Sequence, residues 1–108
     1  MYTHLENIQR LIEAQKKLVE SRSEHYKAKA SFENCSRVLQ NKVHVIYRTE
    51  SNLGSNADVR NAKIAEFAKV EQDAVYTAED TLRETKLAFE NAENDWDLAR
   101  YIARSYEG

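Results

Sequence analysis

The chain has 108 residues, 42% of them hydrophobic and 31% charged, with a formal net charge of −2, no proline and two glycines. That length excludes more than one domain, and the near-neutral balance gives no general attraction to polyanions. A composition free of breakers and rich in Ala, Glu, Lys, Leu and Arg excludes folds that need many turns and leaves long helices.

Thr3-His4-Leu5-Glu6 has the form of a capping box, in which hydroxyl and carboxylate satisfy each other's backbone amides, so a first helix is expected from residue 3 to 50. Its first half carries Leu5, Ile8, Ile12, Gln15, Val19, Arg22 and Tyr26 at alternating spacings of three and four, widened by Leu11 and Leu18. Its second half repeats the spacing in another frame, through Ala28, Phe32, Cys35, Leu39, Lys42 and Ile46, with Val43 alongside. The spacing thus predicts a frame change within Ser21-Arg22-Ser23-Glu24-His25.

The one turn-like cluster is Ser51-Asn52-Leu53-Gly54-Ser55-Asn56, predicted as the turn 51–56, with Gly54 or Asn52 taking the left-handed conformation that ends a helix. Ser55-Asn56-Ala57-Asp58 reads as a second capping box, opening a single helix from 57 to 106. That helix starts with Ala57, Asn61, Ile64, Ala68 and Glu71 in frame. It continues as an unbroken seam through Val75, Ala78, Leu82, Thr85, Phe89, Ala92, Trp96, Ala99, Ala103 and Tyr106. Large residues alternate with small ones, and the small ones let helix axes approach closely.

Two helices about a single turn give an all-α fold, a long antiparallel two-helix hairpin of coiled-coil type forming one domain over 1–108, each arm roughly 70 Å long at 1.5 Å per residue. In this reading Ile46 and Val43 face Ile64, Leu39 faces Ala68, Phe32 meets Val75 and Tyr26 meets Leu82. Farther along, Val19 meets Phe89, Ile12 meets Trp96 and Ile8 meets Ala99. Residues 1–50 hold nine Lys and Arg against six Asp and Glu, and residues 51–108 hold seven against twelve, so opposite charge favours the pairing. Leu11, Leu18, Val38, Tyr47, Tyr76, Leu87, Leu98, Tyr101 and Ile102 stay outside the seam. A bare hairpin buries little for its length, so these residues point to a second interface: self-association into a four-helix bundle, or docking on another protein.

Side-chain chemistry is sparse. Cys35 is the single cysteine, which rules out an intrachain disulfide and reads as a small hydrophobe of the seam. His4, His25 and His44 are far apart and lack the Glu-x-x-His spacing of a di-iron bundle, so they read as solvated or half-buried, and no metal or cofactor is expected. Asn34-Cys35-Ser36 matches a glycosylation sequon by chance, because no secretory segment precedes it. No run approaches the ~18 apolar residues of a membrane span, and the chain reads as cytoplasmic.

Two charged surfaces are candidates for partners. Glu90, Glu93, Asp95 and Asp97 crowd the flank of Trp96 and suit a basic protein groove by imitating nucleic acid. They are not a calcium loop, which requires a turn glycine and a Glu where Arg104 stands. Arg37, Lys42, Arg48, Arg60, Lys63 and Lys69 gather toward the turn, where phosphates are a possible ligand, although Glu50, Asp58 and Glu66 are interleaved.

The run Gly54-Ser55-Asn56-Ala57-Asp58-Val59-Arg60-Asn61-Ala62, followed by the helix through Ala78-Glu79-Asp80-Thr81-Leu82, resembles a group of small helical proteins of bacteriophages and prophages. Those proteins place a Gly-x-Asn-Ala-x-x-Arg turn before a long helix and commonly sit among recombination or replication genes. The resemblance implies a phage origin, residence in the host cytoplasm and a non-enzymatic accessory role. Asn56 and Arg60, four apart, would cap the turn and also meet a partner.

Three functional readings follow. The first is an interaction protein presenting helical faces to a protein partner, itself included, with Leu87, Leu98 and Ile102 beside the acidic group as the candidate surface. The second is a phage inhibitor of a host enzyme or defence nuclease using Glu90, Glu93, Asp95 and Asp97. The third is a nucleic-acid-binding accessory using the basic tip.

Overall fold

The computed structural model describes residues 3–50, 53–54 and 56–107, the side chains of 106 and 107 excepted. They form three α-helices and, among the described residues, no strand: α1 (His4–Thr49), α2 (Ala57–Phe67) and α3 (Lys69–Glu107). No helix among these residues is long and apolar enough to cross a membrane. The chain is all-α, as its composition requires.

The first capping box closes as expected. The Thr3 amide donates to Glu6 Oε2 at 3.3 Å, and the Glu6 amide donates to Thr3 Oγ1 at 3.2 Å. Helix α2 starts on Asn56, whose side-chain oxygen accepts from the Asp58 amide at 2.8 Å. Ser55, expected to open that cap, lies outside the described residues, as do Ser51 and Asn52 of the turn.

Gly54 takes the left-handed backbone, with φ +103°, and a Cβ there would meet Val59 Cγ1 at 2.9 Å. Both the φ and the contact disfavour any side chain. Gly54→Ala is therefore expected to lower stability by about 1–2 kcal/mol or more, read as a drop in midpoint on thermal unfolding followed by circular dichroism. An unchanged midpoint would place the reversal elsewhere.

The single helix expected from 57 to 106 is interrupted at Ala68, where φ −105° and ψ 19° leave the helical region. The flanking ladder survives: the Ala68 amide donates to the Ile64 carbonyl and the Gln72 amide to the Ala68 carbonyl, both at 2.9 Å. Ala68 is 2% exposed and closes a cluster with Ile46 and Leu53, against which Leu39 and Ile64 pack. A one-residue rotation at an alanine disturbs neither the 3-4 spacing nor the composition, so the sequence carries no sign of it.

The chain divides into two compact units, Met1–Ala28 with Leu82–Gly108, and Lys29–Thr81. The second unit contains the Ile46–Leu53–Ala68 cluster and an ion pair, Lys42 Nζ to Glu71 Oε1 at 4.0 Å. Leu39 and Ile64 both pack against that cluster, which sets the end of α1 beside α2 and Ala68 as the reversal at Gly54 requires. The ion pair explains why a glutamate sits in the seam: its partner is the lysine of the opposite arm.

The first unit pairs the start of α1 with the end of α3, running in opposite directions. His25 Nδ1 lies 3.3 Å from Thr85 Oγ1 and its ring 5.8 Å from that of Phe89, while Ala14 and Ala99 border one groove and Ser21 and Ala92 another. On α3 the expected seam holds. Val75, Ala78, Leu82, Thr85, Phe89, Ala92, Trp96, Ala99 and Ala103 are all buried or half-buried; the side chain of Tyr106 lies outside the described residues.

On α1 the expected frame is corrected. Asn7, Leu11, Ala14, Leu18, Ser21, His25, Ala28, Phe32, Cys35, Leu39, Lys42 and Ile46 are buried or half-buried in one uninterrupted 3-4 series. The frame change at 21–25 does not occur. Leu5, Ile8, Ile12, Gln15, Val19, Arg22 and Tyr26, assigned to the seam, are all exposed, so the pairings of Ile8, Ile12, Val19 and Tyr26 with α3 as core layers are overturned. The cause is size matching. The observed frame sets Ala14 and Ser21 beside Ala99 and Ala92, and His25 beside Phe89, so small meets small and large meets large. The discarded frame offers no small row and would hold the axes apart.

Candidate interaction faces

The corrected frame leaves α1 with two seams. One faces inward, and the other presents Leu5, Ile8, Ile12, Val19 and Tyr26 outward, each between 39% and 64% exposed. Gln15 and Arg22 complete the heptad spacing. Arg22 does not point free into solvent: its guanidinium lies 5.9 Å over the Phe89 ring, a cation–π contact, and the His25 ring also lies against Phe89. The Thr85 hydroxyl lies 3.0 Å from the Leu82 carbonyl, to which it can donate, and 3.3 Å from His25 Nδ1. His25 is 6% exposed and is a buried seam residue, not the solvated or half-buried one expected. It acts there as a large flat side chain with one ring nitrogen hydrogen-bonded to Thr85.

The acidic group is divided by the helix. Glu90, Glu93 and Asp97 follow each other at spacings of three and four and share one face, where Arg100 approaches Asp97 at 3.9 Å and lies 5.8 Å over the Trp96 ring. Asp95 projects to another side and borders the grooves beside Ala99 and Ala92, together with Lys17. All four carboxylates are exposed, but cations of both helices are interleaved with them. Exposed pairs of this kind contribute ~0–1 kcal/mol.

Leu87 is 60% and Leu98 53% exposed, whereas Ile102 is half-buried. Leu98 borders a groove of about 150 Å³ with Arg10, Ala14 and Lys17. Between Leu87 and Leu98 the same side of α3 carries Glu90, Asn91 and Asn94, so these two leucines are isolated points and not a stripe.

The basic residues are also partly drawn inward. Arg37 and Arg48 are exposed, while Lys42, Arg60 and Lys63 are half-buried and Lys42 pairs with Glu71. Arg48 borders a shallow depression on α1 with Asn41, His44 and Tyr47. Asn56 is spent on the cap of α2, and its carbonyl accepts from the Arg60 amide at 3.0 Å. Asn56→Ala is expected to cost about 1 kcal/mol through loss of that cap, while Arg60→Ala leaves the unfolding midpoint within about 0.5 kcal/mol and bears on partner binding alone. Equal thermal unfolding of native chain and Asn56→Ala would remove the capping role.

The face that carries Leu5, Ile8 and Ile12, with Val19 and Tyr26 beyond Gln15 and Arg22, thus points outward where its spacing predicts it inward. The signal that separates the two seams is the match of small rows, Ala14 and Ser21 against Ala92 and Ala99. Comparison with protein-family models, with curated proteins and with solved structures finds no match to this chain.

Proposed function

We propose that this chain is a non-enzymatic accessory protein of phage type that works by protein–protein interaction through helical faces. One observation supports this above the others: the exposed apolar heptad stripe on the first half of α1, at Leu5, Ile8, Ile12, Val19 and Tyr26. Isolated exposed hydrophobics are ordinary, but a stripe kept in register over three heptads is the recognition element of helix-on-helix association.

The chain, carrying a tag and expressed beside a second, differently tagged copy, is to be captured after brief crosslinking. The native sequence is expected to retain a protein partner, whether the second copy or another chain, that is lost on Ile12→Glu with Val19→Glu. Capture that is absent, or unaffected by these changes and by Leu87→Glu with Leu98→Glu, would overturn the reading.

A further inference from the structure

Resting on that interaction reading, we infer that the outward stripe of α1 is covered by the same stripe of a second copy, running antiparallel, so that the working form is a homodimer built on an α1–α1 contact. Three observations select this occupant.

The first is area. With Tyr26 on the aromatic scale of roughly 150–250 Å² and the four aliphatic side chains smaller, exposures of 39–64% leave at most on the order of 500 Å² per copy. Two copies together approach ~1,000 Å² of mostly apolar surface before any flanking residue is counted, the lower bound of a specific interface.

The second is the thinness of the interior. Six of the nine buried hydrophobic residues are alanines (Ala14, Ala28, Ala68, Ala78, Ala92 and Ala99), and among the described residues no large side chain is fully buried. A core of alanine layers is small for a domain of this length. A cover that completes it must be present whenever the chain folds, and a second copy always is.

The third is charge. The edge of the stripe away from α3 carries Glu13, Lys16, Glu20 and Lys27 in alternating sign. Run against itself in opposite direction with Arg22 opposite Ile12, that edge brings Lys16 of each copy within one turn of Glu20 of the other, once on each side of the two-fold axis. Run parallel, it would bring Arg22 against Arg22 in the middle of the seam; antiparallel, Arg22 meets Ile12 and keeps its place over Phe89.

Sedimentation and light scattering on the full chain test this. The native chain is expected at twice 12.5 kDa, with a thermal midpoint that rises with concentration by mass action. Ile12→Glu with Val19→Glu is expected to weaken the dimer more than about 100-fold, and Leu87→Glu with Leu98→Glu to leave it intact. Lys16→Glu is expected to weaken it about tenfold, and the further change Glu20→Lys to restore it.

A native chain that is monomeric throughout, with a concentration-independent midpoint, would overturn the proposal. So would a dimer broken only by the Leu87 and Leu98 changes. A parallel dimer, in which Glu20→Lys fails to rescue Lys16→Glu, would overturn the antiparallel arrangement. A monomer whose stripe still captures another protein would refute the dimer and leave the interaction reading standing, so the two are separable.

Discussion

Ile46→Ala is expected to lower stability by about 2–4 kcal/mol, the largest effect of any single truncation in the chain. Ile46 is buried against Leu53 and Ala68, with Leu39 and Ile64 packed around them, and no other cluster of buried large side chains stands among the described residues. Removing three carbons there loses their transfer free energy and leaves a void that the surrounding helices fill only partly. In a domain of this size each kcal/mol moves the melting midpoint by roughly 4–8 °C, so thermal unfolding reads the change easily. The neighbouring Tyr47→Ala, at an exposed position about 100° around the helix, is expected to stay within about 0.5 kcal/mol. If the two changes cost the same, the cluster is not what holds the turn end together.

Enlarging a small layer is expected to do comparable damage from the other direction. Ala92→Leu inserts three carbons where Ala92 and Ser21 border one groove between α1 and α3, at a cost of about 1–3 kcal/mol from overpacking. Ala74→Leu, at an exposed position of the same helix, is expected to be neutral within about 0.5 kcal/mol. This pair of changes tests the frame itself. In the frame that buries Ile12 and Val19, Ala92 faces no small residue of α1, and a leucine there would improve the packing.

The elements of the fold were largely legible. Thr3 and Glu6 announce the start of α1, Gly54 the reversal and the run from Ser55 to Asp58 the next start, although the cap itself falls on Asn56. The seam of α3 was legible because it is the only apolar series its helix carries. On α1 the reading failed for the opposite reason. Two 3-4 series share the helix, and the more hydrophobic one, Leu5 to Tyr26, is the one that faces out. The buried series holds Asn7, Ser21 and His25, which a hydrophobicity argument discards. Yet Asn7 is 4% exposed, with neither side-chain atom bonded among the described residues. Spacing identifies how many seams a helix has, but only volume matching between helices decides which one turns inward. The outward stripe of α1 lies apart from the surface expected at Leu87, Leu98 and Ile102, because the spacing alone assigns Leu5 to Tyr26 to the core.

The packed cluster beside Gly54 also sets the order in which the chain assembles. Ile46 and Ala68 are 22 positions apart and Ala14 and Ala99 are 85 apart, so closing the longer separation first would cost about 1.2 kcal/mol more in loop entropy. The cheapest contacts to form are also the ones with the largest buried apolar side chains, Ile46 and Leu53. Folding is therefore expected to begin at the turn and zip toward the termini, with early formation at Ile46 and Leu53 and late formation at Ala14 and Ala99. The outward stripe of α1 sits at the end that zips last, so it is complete only once the rest of the chain is in place.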